Sequence, residues 1–92
     1  MAINNHFNRV INRFPPAPAP EVVPGYCQRF YNLSPEILSM YLYSYIYIWI
    51  TPFESFWMYP INVDINYIYG YIWINNLWVH TQFDWRNINS FY

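Results

Sequence analysis

The stretch Tyr67-Ile68-Tyr69-Gly70-Tyr71-Ile72-Trp73-Ile74-Asn75-Asn76-Leu77-Trp78-Val79-His80-Thr81-Gln82-Phe83 decides the fold class. Before the Asn pair, odd positions carry Tyr67, Tyr69, Tyr71 and Trp73, whereas even positions carry Ile68, Gly70, Ile72 and Ile74. A two-residue period is that of a strand, whose successive side chains point to opposite faces. Asn75-Asn76 tolerates positive φ and reads as a two-residue hairpin loop. That loop pairs Ile74 with Leu77, Ile72 with Val79, Gly70 with Thr81 and Ile68 with Phe83 on one face. Trp73 then faces Trp78, Tyr71 faces His80, Tyr69 faces Gln82 and Tyr67 faces Asp84 on the other. A slip of one residue would mix the two sets, so the register is strongly specified.

A second run repeats the pattern upstream. Tyr41, Tyr43, Tyr45, Tyr47, Trp49 and Thr51 alternate with Leu42, Ser44, Ile46, Ile48 and Ile50. This predicts an eleven-residue strand ended by Pro52, built from residues that favour pleated structure. The competing reading is one buried helix from Ser34 to Ile50, started by the Ser34-Pro35-Glu36 capping signal. The clean split of rings from aliphatics favours the strand. Between the runs, Pro52 to Pro60 reads as a proline-bracketed connector. Ile61, Val63 and Ile65 alternate with Asn62, Asp64 and Asn66 as a half-exposed strand, and Gly70 could carry a bulge or bend.

Composition divides the chain further. Residues 1–14 space Ile3, Phe7, Val10, Ile11 and Phe14 along one helical stripe, an amphipathic N-terminal arm. Residues 15–25 hold five of the eight prolines and read as an extended, semi-rigid linker. Residues 26–92 form the aromatic β domain. The expected fold class is therefore mainly β: a small antiparallel sheet with a short N-terminal helix and a Pro-rich linker.

The chain has 92 residues, enough for one small domain, with 55% hydrophobic, 25% aromatic and 10% charged residues. Four Arg, no Lys and five acids give a net charge of −1, which speaks against nucleic-acid backbone binding. One cysteine, Cys27, leaves no internal disulfide and no cysteine-built zinc site. Met1 to His6 lacks the basic start and apolar run of a signal peptide, and Asn32-Leu33-Ser34 is a glycosylation triplet with Pro35 directly behind it. The longest uncharged stretch, Ile37 to Phe53, is 17 residues and rich in Tyr, which disfavours a spanning helix but leaves membrane-interface contact open.

Catalytic signals are weak. His80 and Asp84 lie two pleats apart on one face, and no spacing brings His6, His80, Asp64 and Asp84 together as metal ligands. No catalytic residue, metal or cofactor is expected. The features that call for explanation are the rings. Tyr41, Tyr43, Tyr45, Tyr47, Trp49, Tyr67, Tyr69, Tyr71, Trp73, Trp78 and His80 form the expected binding or assembly face. Each large ring buries ~150–250 Å² when enclosed, so together they ask for more cover than ~60 residues can supply. Three readings follow. The first is a non-enzymatic structural protein that associates with itself or a larger assembly, such as a fibre or surface layer, through sheet edges and rings. The second is an accessory subunit at a membrane interface. The third is an aromatic platform for carbohydrate or other flat ligands.

Overall fold

The computed structural model describes residues 14–26 and 33–92. The amphipathic stripe up to Arg13, His6, Cys27 and Asn32 lie outside the described residues. The fold is mainly β. Five antiparallel strands make one sheet: β1 (Ile46–Thr51), β2 (Glu54–Val63), β3 (Tyr67–Ile74), β4 (Leu77–Asp84) and β5 (Ser90–Phe91). A short helix, α1 (Pro35–Ser39), precedes them. The order β4-β3-β2-β1-β5 is a four-strand meander whose last strand returns to the far edge.

The β3–β4 hairpin has the register that the ring and aliphatic sets demand, from Ile74↔Leu77 through Trp73↔Trp78 to Tyr67↔Asp84. Asn75 and Asn76 take φ of 52° and 64°, the left-handed pair that matches a two-residue turn to strand twist.

Helix α1 starts where the capping signal places it. Ser34 accepts the Ile37 N–H on its hydroxyl at 3.2 Å and Pro35 sits in the first turn. The helix ends at Ser39, so the long-helix alternative fails. The strand expected from Tyr41 begins five residues later, at Ile46, because the chain turns through Tyr43 at φ 64°. Tyr43 donates its N–H to the Pro60 carbonyl at 2.8 Å. The nitrogen of Pro60 faces the same side and has no hydrogen to give. Strand pairing therefore stops at Ile46↔Met58, and Tyr41 and Tyr43 never enter the sheet.

The Pro52–Pro60 connector is also corrected. Only Pro52 and Phe53 turn, with the Phe53 N–H held by the Thr51 hydroxyl at 3.1 Å, and β2 runs from Glu54 through Pro60. Ser55, Trp57 and Tyr59 alternate with Glu54, Phe56 and Met58, which is a strand pattern with two largely apolar faces. The irregularity expected at Gly70 lies across from it in β2. Register passes from Pro60↔Gly70 to Asn62↔Tyr69, leaving Ile61 unpaired. This bulge flips parity, so Val63 joins Met58 and Pro60 on the core face while Ile65 ends in a turn, 76% exposed.

The core lies on the aliphatic face. Leu38, Ile46, Ile48, Met58 and Ile68 are buried there beneath Ile88 and Phe91. A 3-10 turn at Trp85–Asn87, capped by Asp84, leads the C-terminal residues back across this face. They end in β5, whose pairs Ile48↔Phe91 and Trp49↔Ser90 cover the β1 edge.

Candidate functional site

Two rows of rings cross the other face. In one, Tyr47 faces Trp57 and Trp73 faces Trp78, with centroids 5.0 Å apart in both pairs. In the next, Tyr59 faces Tyr71, which faces His80. Tyr45 reaches over them from the start of β1 to stack on Trp78 at 5.9 Å and 20°. Most other contacts are edge to face or tilted, as the ring quadrupoles favour.

The expected face is not one surface. Tyr47 and Trp49 are buried, at 7% and 3% exposed. Tyr45, Tyr69, Tyr71, Trp73 and Trp78 are half-buried, and Tyr67 and His80 are exposed. Tyr41 and Tyr43 lie off the sheet, Tyr41 against Phe91 at 5.0 Å and Tyr43 near Tyr59 at 6.4 Å. Trp57 and Tyr59 belong to the ring face, although their position between two prolines hid them in a connector. Their alternation with Phe56 and Met58 was the signal that could have found them.

Much of the cover comes from the chain's own proline-rich segment. The Trp78 indole N–H donates to the Ala17 carbonyl at 2.7 Å, and Phe14 meets Tyr71 edge to face at 5.0 Å. Pro15 and Ala19 are buried. Two clefts of about 290 and 450 Å³ flank the segment, with Trp73 and Asn76 in the walls of both. Residues 14–20 thus supply area that the expectation of an uncoverable face left out. Two polar atoms stay buried on this face without a hydrogen-bond partner among the described residues: the Tyr45 hydroxyl and the Trp57 indole N–H.

At the far end of β3 the rings are tied to charges. Asp64 accepts the Asn66 and Tyr67 N–H groups at 2.8 and 2.7 Å and the Tyr69 hydroxyl at 2.6 Å. The Tyr69 hydroxyl, then the two backbone donors, hold the Asp64 carboxyl below the ordinary range. The same bond raises the Tyr69 phenol. Arg86 grips Asp84 through two side-chain bonds at 2.8 and 2.9 Å, which lowers the Asp84 carboxyl and raises the guanidinium. Asp84 is therefore committed to Arg86 and to the 3-10 cap, and His80 meets Tyr71 edge-on at 5.2 Å. No group of three metal-ligating side chains occurs among the described residues.

The remaining feature is an edge. Strand β4 ends the sheet order and carries one charged side chain, Asp84, at its last position. In a hairpin with a two-residue loop, the pair next to the loop is hydrogen-bonded, so Leu77, Val79 and Thr81 bond inward to β3. Trp78, His80 and Gln82 then turn their backbone N–H and C=O groups outward. Beside this edge, on the aliphatic face, Ile74, Leu77 and Val79 are 42%, 64% and 43% exposed. Nearby, Ile50, Phe56, Ile72 and Phe83 line a shallow hollow of about 270 Å³. Compared with protein-family models, curated proteins and solved structures, the chain finds no match.

Proposed function

We propose that this chain is a non-enzymatic assembly module that pairs with a second copy of itself through β4. The observation that carries this reading is an eight-residue edge strand without Lys or Pro, beside exposed Ile74, Leu77 and Val79. Edges of soluble sheets are normally blunted by charge, proline or cover. The other edge is paired with β5; no strand pairs with the outer side of β4 among the described residues. An antiparallel partner of the same sequence satisfies the outward groups of Trp78, His80 and Gln82 and sets the two aliphatic patches side by side. Such a pairing is two-fold symmetric, the commonest form of self-association.

The flat-ligand platform has less support than edge pairing. A flat ligand wants coplanar rings, yet Tyr67 and Tyr69 cross at 65° and Phe14 stands edge-on against Tyr71. No helix among the described residues is long and apolar enough to cross a membrane.

The test is light scattering behind size-exclusion chromatography at concentrations up to about 100 μM, which corresponds to about −5.5 kcal/mol of association. The wild-type mass should rise toward the dimer, while Val79→Lys, with an unchanged circular dichroism spectrum, stays monomeric. A wild-type chain that remains monomeric throughout, or a Val79→Lys chain that dimerises equally well, refutes the proposal.

A further inference from the structure

We infer that the tryptophan-walled groove on the ring face is a polyproline-recognition site, whose resident ligand is residues 14–20 and which takes the same segment from a second copy. This does not depend on the β4 pairing, since Val79, the residue that tests that pairing, lies on the opposite face, although Leu77 borders both surfaces. The groove has what an extended proline-rich strand requires. Proline offers no N–H, so such a strand recognises through ring packing and through its carbonyls. Trp73, Trp78 and Trp57 supply apolar walls: Pro16, Ala17 and Pro18 share a cleft with the first two, Pro18, Ala19 and Pro20 share one with Trp57 and Trp73, and the segment is anchored by buried Pro15 and Ala19 while Pro16, Pro18 and Pro20 stay exposed. Indole donates and cannot accept, which suits a bare carbonyl. Trp78 already uses its donor on Ala17 at 2.7 Å. Trp57, which lines the second cleft, holds another indole N–H that is buried without an acceptor among the described residues. The ligand is stiff, so seating it costs little ordering entropy.

Occupancy in cis and in trans then differ only by a tether. Five residues, 21–25, separate Pro20 from Tyr26, which is held against Trp49 and donates its hydroxyl to Asn89. A short tether gives an effective concentration of about a millimolar, so a free copy of the segment must approach that level to compete. Below about 100 μM protein the segment stays home, which keeps this exchange apart from edge pairing.

The probe is a synthetic peptide of residues 14–21, Phe-Pro-Pro-Ala-Pro-Ala-Pro-Glu, titrated to several millimolar onto the full-length isotope-labelled chain. Displacement should move the chain's own Ala17 and Ala19 amide resonances to free-chain positions while the Trp78 indole resonance keeps its bound shift. A peptide with every proline replaced by alanine should leave the Ala17 and Ala19 resonances where they are. In a second arm, the full chain carrying Pro15→Ala, Pro16→Ala, Pro18→Ala and Pro20→Ala should bind a fluorescent form of the peptide at least ten-fold more tightly than wild type. Adding Trp78→Phe to that chain should weaken binding about five-fold, the loss of one hydrogen bond. If the proline-replaced chain does not fold, the displacement experiment on the wild-type chain decides alone. Ala17 and Ala19 resonances that stay unmoved at saturating peptide, or that move equally with the alanine peptide, overturn the inference.

Discussion

Replacing Gly70 by Ala should destabilise this protein strongly, against the normal preference of a strand. A Cβ built on Gly70 falls 2.4 Å from the Tyr59 carbonyl oxygen and 2.7 Å from the Pro60 Cα, both backbone atoms of β2. Restoring a tolerable 3.4 Å takes a movement of about 1 Å, and a hydrogen bond stretched by that much is lost. Two ladder bonds beside the Pro60↔Gly70 pair at about 1 kcal/mol each, plus about 1–2 kcal/mol of overpacking, set the cost. Ala recovers about 0.5–1 kcal/mol of backbone entropy relative to Gly. The net is a loss of about 2–3 kcal/mol, or roughly 10–20 °C in melting temperature for a domain of this size. Urea unfolding followed by far-ultraviolet circular dichroism measures it. Gly25→Ala is the internal control, because nothing lies within 4 Å of a Cβ there, and it should change stability by less than about 0.5 kcal/mol. A Gly70→Ala protein as stable as wild type would show that β2 and β3 do not approach as described.

Other consequences can be checked with the same equipment. Asn75→Val places a β-branched residue at φ 52° and should cost about 1–2 kcal/mol in urea unfolding, whereas Asn75→Gly should be neutral or stabilising. Met58 is fully buried in β2, paired with Ile46 and Ile72, and Met58→Ala should cost about 2–5 kcal/mol in the same assay. The Asp64 carboxyl is lowered in the folded chain, so its contribution is present above the ordinary aspartate value near ~4 and fades as pH falls through the folded value. The Tyr69 phenol is raised, so its contribution is present below the ordinary tyrosine value near ~10 and is lost as pH climbs through the folded one. Tyr69→Phe should therefore flatten part of both limbs of a stability–pH curve, and a curve identical to wild type would refute the pairing.

What the sequence made legible, and what it hid, follows the range of the interactions. The β3–β4 hairpin could be read residue by residue because its turn is local and its faces differ in kind, rings against aliphatics. Helix α1 could be read because Ser34 caps Ile37 three residues away. Strand β2 was hidden because rings and aliphatics fill both of its faces and Pro60 sits inside it, where the proline is harmless only because β1 stops short. The parity change at Ile61 is invisible in a pattern, since it is set by the partner strand. The seat of the proline segment depends on a bond between residues 61 apart in sequence. Composition shows such a segment to be extended, and nothing local shows where it lies. The same blindness made the ring face look larger than the chain could cover: Trp49 counts as exposed area until Tyr26 is placed 5.6 Å from it, and Tyr71 and Trp78 until Phe14 and Ala17 are.

The two proposed contacts differ in symmetry, and this decides what they could build together. Pairing of β4 with β4 is isologous: it consumes the only long free edge of each described sheet, and the ten strands that result end in β5 on both sides. That product is closed, because a two-residue outer strand offers little further ladder. Exchange of the proline segment has no such limit. Two copies that trade segments reciprocally also close, but a copy that gives its segment to one neighbour and receives from another leaves a groove free at one end and a segment at the other. Edge pairing alone therefore predicts a mass that saturates at the dimer. A mass that keeps rising with concentration in the millimolar range, and collapses to the dimer when Pro15, Pro16, Pro18 and Pro20 are replaced by Ala, requires the groove as the second connection.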